Sequence, residues 1–228
     1  MSKKVLMVLT SHGAAGDKAT GWYLPECAHP YFRFKKAGMD VSFASTAGGD
    51  TTVSPSSLDM NDAENKLFWE TADTKALTQG TRKLAEFNGN DFDVVFFVGG
   101  FGVMFDFYDD EHVNRVAREV YEKGGVVSAV CHGPIALAGV KLTNGDFLIN
   151  GKGCAGFTNE EEDMAGLLDI LPVREGGATC GDILSAKGAK YTKGDPWGCH
   201  VVSDSRVITG QNPASAGATA DAILTAIA

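Results

Sequence analysis

The sequence has no Cys-x-x-Cys pair, no apolar run long enough to cross a bilayer, and fewer basic than acidic side chains. Each absence closes a class of function. The five cysteines, Cys27, Cys131, Cys154, Cys180 and Cys199, are odd in number and widely spaced, which argues against a disulfide framework and against the usual zinc or redox spacing. Lys plus Arg total 20 against 29 Asp plus Glu, a net charge of −9; a chain with no basic stripe repels phosphate backbones, so no nucleic-acid partner is expected. The first apolar run, Val5-Leu-Met-Val-Leu9, stops at Thr10-Ser-His-Gly13. It is too short for a signal-peptide core or a membrane span. No membrane partner and a cytoplasmic location are therefore expected. His12, Asp17 and His29 are too scattered to suggest ligand spacing, so no metal is expected.

What is present is an ordinary folding composition, 44% hydrophobic and 21% charged, over 228 residues. That length suits one core, so residues 1–228 are read as a single domain. The 28 glycines exceed the average of roughly 7%, as expected for many tight strand-to-helix turns. Lys3–Ser11, Asp40–Ser45, Asp93–Gly99 and Val126–Cys131 are short Val- and Phe-rich runs that read as strands buried on both faces. Between them, Val113, Val116, Ala117, Val120 and Tyr121 share one helical face, with Asp109-Asp-Glu111 ahead and Lys123-Gly-Gly125 behind, as helix ends prefer. A second helix is predicted from Ala72 to Phe87, and a last one with Ala220, Ile223, Leu224 and Ile227 on one face. Alternation of strand and helix predicts an α/β fold: a mainly parallel sheet flanked by helices on both faces, a flavodoxin-like sandwich. Residues 47–62 and 142–198 interrupt the pattern and read as loop insertions.

In such folds chemistry gathers where strands end. Val126-Val-Ser-Ala-Val-Cys-His-Gly-Pro134 runs a buried strand into a sharp turn and then an apolar helical turn, Ile135-Ala-Leu-Ala138, which is nucleophile-elbow geometry at Cys131. A thiolate is the form expected there. Val95-Phe-Phe-Val-Gly-Gly-Phe-Gly102 empties another strand into glycines, whose bare amides approach a reacting oxygen closely; the N–H groups of Gly100 and His132 are candidate oxyanion donors. Pro25 is tolerable only in a first helical turn. Glu26 therefore stands near a helix start, able to point into the cleft.

Val130-Cys-His-Gly-Pro134, Val98-Gly-Gly-Phe-Gly102, Gly21-Trp-Tyr-Leu-Pro-Glu26, Gly156-Phe-Thr-Asn-Glu-Glu-Glu162 and Thr209-Gly-Gln-Asn-Pro-Ala-Ser215 together resemble the PfpI-type cysteine superfamily. That superfamily includes the Parkinson-associated deglycase and the class I glutamine amidotransferases, and the resemblance is best to its heat-shock-chaperone-like, glutathione-independent glyoxalase III branch. It implies Cys131 as nucleophile, His132 as its proton carrier, Glu26 as the acid that hydrogen-bonds the sulfur, and Glu162, the last of three consecutive acids, as the group orienting His132. Gly100 and His132 match the oxyanion hole, and Gly99 and Phe101 the substrate pocket. Much of the branch has histidine where this chain has Phe101, a change that makes the pocket more apolar.

The resemblance implies a cysteine-dependent, cofactor-free enzyme of the hydro-lyase class named for D-lactate dehydratase, converting methylglyoxal or a similar 2-oxoaldehyde to a 2-hydroxy acid through a Cys131 hemithioacetal. It also implies a homodimer. Competing readings are a peptidase or amidase of the same superfamily, a holdase chaperone for unfolded client proteins, resting on the aromatic cluster Trp22, Tyr23, Tyr31, Phe32 and Phe34, and a redox or stress sensor. Glutaminases of the superfamily draw on a separate His-x-Glu, and His200-Val-Val202 lacks the acid.

Overall fold

The computed structural model describes residues 2–228. Its seven-stranded sheet contains β1 (Lys4–Leu9), β2 (Asp40–Ser45), β3 (Arg82–Lys83), β4 (Val94–Phe97), β5 (Val126–Val130), β6 (Val201–Asp204) and β7 (Val207–Gly210). Their order across the sheet is β6-β7-β5-β4-β1-β2-β3. Every neighbouring pair is parallel except the β6–β7 hairpin at one edge.

The continuous apolar runs are explained by burial on both faces. Successive strand side chains point to opposite sides, so Val5, Met7, Leu9, Val94 and Phe96 enter one core with Leu24, Phe34, Ala220 and Ile223. Leu6, Val8, Val95, Phe97 and Val127 enter the other with Val113, Val116 and Val120. Helices α1 (Leu24–Lys36) and α5 (Ala216–Ala226) cover the first face, and α2 (Glu111–Glu122) the second; α3 (Ile135–Ala138) follows the Cys131-His132 turn, and α4 (Asn159–Met164) carries the three consecutive acids. Asp110 caps α2 by accepting from the N–H groups of His112 and Val113, both at 2.8 Å. That satisfies donors the first turn leaves free.

The helix predicted from Ala72 to Phe87 is cut short. Only Ala72–Ala76 is α-helical, and a turn, β3 and a 3₁₀ turn at Leu84–Glu86 follow. Gly80 is left-handed at φ 59°, and Thr81 exchanges backbone hydrogen bonds with Gly49. Threonine hydroxyls at 74 and 78 bond local carbonyls instead of favouring a longer helix. Pairing with a distant segment outweighed a local apolar spacing.

Candidate active site

Strands β4 and β5 run side by side with Phe97 opposite Ala129. The segments leaving them, Gly99-Gly100 and Cys131-His132, consequently emerge together at the carboxyl edge of the sheet. Cys131 has φ 62°, a left-handed conformation uncommon outside glycine and worth about 1–3 kcal/mol of strain. Its surroundings hold it there: its N–H donates to the Gly210 carbonyl at 2.9 Å, its carbonyl accepts from the Phe157 N–H at 2.8 Å, and the Gly133 N–H donates to the Val130 carbonyl at 2.8 Å.

The Cys131 Sγ lies 3.3 Å from His132 Nδ1, and His132 Nε2 lies 2.9 Å from Glu162 Oε1. All three residues are buried. The three consecutive acids part because each helical position turns by about 100° from the last. Glu160 reaches Lys193 at the surface, at 2.9 Å. Glu161 turns inward as an anchor, accepting from Thr158, Trp197, Gln211 and Asn212. Glu162 takes its carboxylate to the imidazole. Thr158 and Glu161 form a capping box at the start of α4, which fixes this phase.

Glu26 sits in the first turn of α1 behind Pro25 and is fully buried. Neither of its oxygens has a hydrogen-bond partner among the described residues at good geometry. Burial pushes its carboxyl well above the usual range, with the nearby Cys131 side chain and Gly99 amide pulling only partly the other way. Burial thus favours its neutral form beside the sulfur. Gly99, expected in the pocket wall, is instead buried behind the cysteine. A Cβ at this position would lie 2.3 Å from both Glu26 Oε2 and the Val130 carbonyl, so only glycine lets the acid approach Cys131.

Burial in this environment opposes the thiolate expected at this turn. Burial pushes the Cys131 thiol well above its ordinary range, while the backbone amides of His132 and Gly100 pull it down. The helical turn α3 has only four residues, too few to supply a strong dipole. A thiol here needs an adjacent base to ionise, and His132 Nδ1 is in place. The amides of His132 and Gly100 both face the sulfur. Gly100 has φ 108°, and a Cβ would lie 2.3 Å from the Gly21 carbonyl.

A cavity of about 600 Å³ opens onto Cys131, His132 and Gly100, walled by Phe101, Phe157 and Trp197 among others. The Phe101 ring stands edge-on to His132 at 5.5 Å, and Phe157 lies over it at 4.3 Å. Of the other residues singled out in the sequence, His29 pairs with Asp62 at 3.1 Å, His12 stacks on Phe105, and His200 meets Thr192 at 3.0 Å. All five cysteines are free. In the aromatic cluster, Trp22 and Phe34 are fully buried, and Tyr31 and Phe32 pack against Phe68, so these rings build the core. Sequence reasoning missed Trp197 and the anchoring role of Glu161. The only local signal was turn chemistry in Gly194-Asp-Pro-Trp-Gly198.

Residues 18–226 match the profile of the DJ-1/PfpI family. The chain is 35% identical over 228 residues to the glutathione-independent glyoxalase HSP31 of Saccharomyces cerevisiae, covering 96% of this chain and 95% of that one. It is similar to the crystal structure of glyoxalase III from Candida albicans, with a TM-score of 0.88 and 34% identity over 98% of this chain and 97% of that one. It is also similar to the Rapid Encystment Protein 24 KDa of Francisella tularensis, with a TM-score of 0.93 and 36% identity over 99% of both chains.

Proposed function

Because this chain belongs to the DJ-1/PfpI family, we propose that it is a glutathione-independent glyoxalase in which Cys131, His132, Glu162 and Glu26 carry out the conversion of a 2-oxoaldehyde to a 2-hydroxy acid. The observation that carries the assignment of roles is the row from Cys131 Sγ through both His132 nitrogens to Glu162, at 3.3 and 2.9 Å, with Glu26 buried alongside.

The chemistry follows from the positions. His132 Nδ1 accepts the thiol proton as sulfur attacks the aldehyde carbon of methylglyoxal, and Glu162 stabilises the imidazolium through Nε2. The oxyanion of the resulting hemithioacetal is held by the Gly100 and His132 amides. A proton then leaves the former aldehyde carbon, giving an enediolate, and one is returned to the former ketone carbon. This leaves a thioester of lactate. Water attacks it, the carbon–sulfur bond breaks, and the thiol is restored. One carbon is oxidised and its neighbour reduced, so atoms and electrons balance with water alone. Glu26, kept neutral by burial, donates to sulfur whenever negative charge develops there. The reaction places the enzyme in the hydro-lyase class.

The test compares loss of methylglyoxal without glutathione against release of label from a peptide substrate. The native protein is expected to consume the aldehyde and Cys131→Ser to lose this activity; peptide cleavage with no aldehyde loss would assign the same cysteine to a peptidase.

A further inference from the structure

The cavity is larger than a three-carbon dicarbonyl requires. Its volume of about 600 Å³ lies within the range of drug-sized ligand sites, ~300–1,000 Å³. Its wall is divided by polarity. On one part, Thr20 Oγ1 is buried without a hydrogen-bond partner among the described residues, and the Tyr23 hydroxyl stands beside Ser56. Apolar surface comes from Phe101, Phe157, Leu167, Ile170 and Trp197.

Trp197 is the informative member. It is 44% exposed, so its ring adds little to the core. Yet its backbone is held at φ 60°, a left-handed conformation that residues other than glycine rarely adopt. The restraint is the buried Glu161, whose Oε1 accepts the Trp197 N–H at 2.7 Å and which is itself fixed by Gln211 and Asn212. The indole also meets the Phe157 ring edge-on, at 5.6 Å and 69°. Phe157 in turn covers His132. Strain and a buried carboxylate thus fix an exposed aromatic surface within reach of the reacting centre. Strain of this kind is characteristic of ligand sites.

Resting on the glyoxalase reading, we infer that the site selects 2-oxoaldehydes bearing an aromatic or bulky apolar substituent, with the dicarbonyl at the amides and hydroxyls and the substituent against Trp197. A flat substituent gains area burial and ring-edge contact there, whereas a methyl group leaves the indole uncovered.

Two measurements test this. Values of kcat/KM for phenylglyoxal and methylglyoxal, without glutathione, are compared for the native protein, Trp197→Ala and Trp197→Phe. In parallel, calorimetry compares binding of mandelate and lactate, the corresponding hydroxy acids, and requires no turnover. The phenylglyoxal-to-methylglyoxal ratio is expected to fall about tenfold in Trp197→Ala and to be largely restored in Trp197→Phe. Mandelate is expected to bind more tightly than lactate, with the advantage lost in Trp197→Ala. A native protein that consumes methylglyoxal, with a ratio unchanged by Trp197→Ala, overturns the inference and leaves the glyoxalase reading intact. Consumption of neither aldehyde refutes the glyoxalase reading, and equal affinity for the two acids then refutes the apolar selection as well.

Discussion

Glu26 and Cys131 are two buried acids side by side, and the carboxyl ties protein stability to pH. Its folded-state pKa is raised by burial, so its neutral form contributes stability that is fully present below the unfolded value of about 4.3 and is lost as pH rises through the folded value. Glu26→Gln removes this titration. In thermal melts from about pH 4 to about pH 8, the variant should gain on the native protein as pH rises; a constant difference across that range would show that Glu26 ionises normally. Glu162→Gln leaves a neutral amide against His132 Nε2, which weakens both orientation and support of the imidazolium. The expected loss is about 10²-fold or more in kcat for methylglyoxal, checked by steady-state kinetics with the melting temperature as a control for folding. At this scale Cys131 was legible because a buried strand ends at Cys-His-Gly-Pro. Glu162 was marked only by its match to a family pattern, since three consecutive acids look alike until helical phase separates them. Trp197 left no periodic trace because its role arises from a contact with Glu161, far away in the chain.

Between elements, the site depends on tight joints. The turn after β4 passes so close to Gly21 that a Cβ on Gly100 would collide with a carbonyl, and its φ of 108° disfavours any side chain. Gly100→Ala should therefore cost stability and displace an oxyanion donor, lowering kcat about 10²-fold; retained activity would remove Gly100 from the oxyanion hole. The joint between α4 and the later loops is Glu161. Glu161→Ala strands buried donors from Thr158, Gln211 and Asn212 and should destabilise by about 3 kcal/mol, read from chemical denaturation. The outline of strands and principal helices was legible because burial on two faces leaves continuous apolar runs and α2 carries both its amphipathic stripe and its end signals. The helix expected through Phe87 failed because Thr81 pairs with Gly49, which no local periodicity reports. Pro30 inside α1 is a comparable local conflict: it has no N–H for the Glu26 carbonyl one turn earlier, yet tertiary packing keeps the helix.

Over the whole molecule, two apolar cores clamp the sheet at whose carboxyl edge Gly100, Cys131 and His132 emerge. Phe97 belongs to one core and Phe34 to the other, so Phe97→Ala or Phe34→Ala should each cost about 3–5 kcal/mol, measurable as a lower denaturation midpoint. The division into cores could be read from alternating strand positions. The parallel order was implied by helical crossovers, but the β6–β7 hairpin was obscured because its turn places Ser205, rather than glycine, at φ 57°. The proposed reaction at this edge passes through the Cys131 sulfur and moves a proton between the two carbons of a 2-oxoaldehyde. The most direct measurement is nuclear magnetic resonance of the product from methylglyoxal in D₂O without glutathione. The native protein should yield lactate carrying deuterium at carbon 2, and Cys131→Ser should yield none; lactate formed by Cys131→Ser at the native rate would contradict the account.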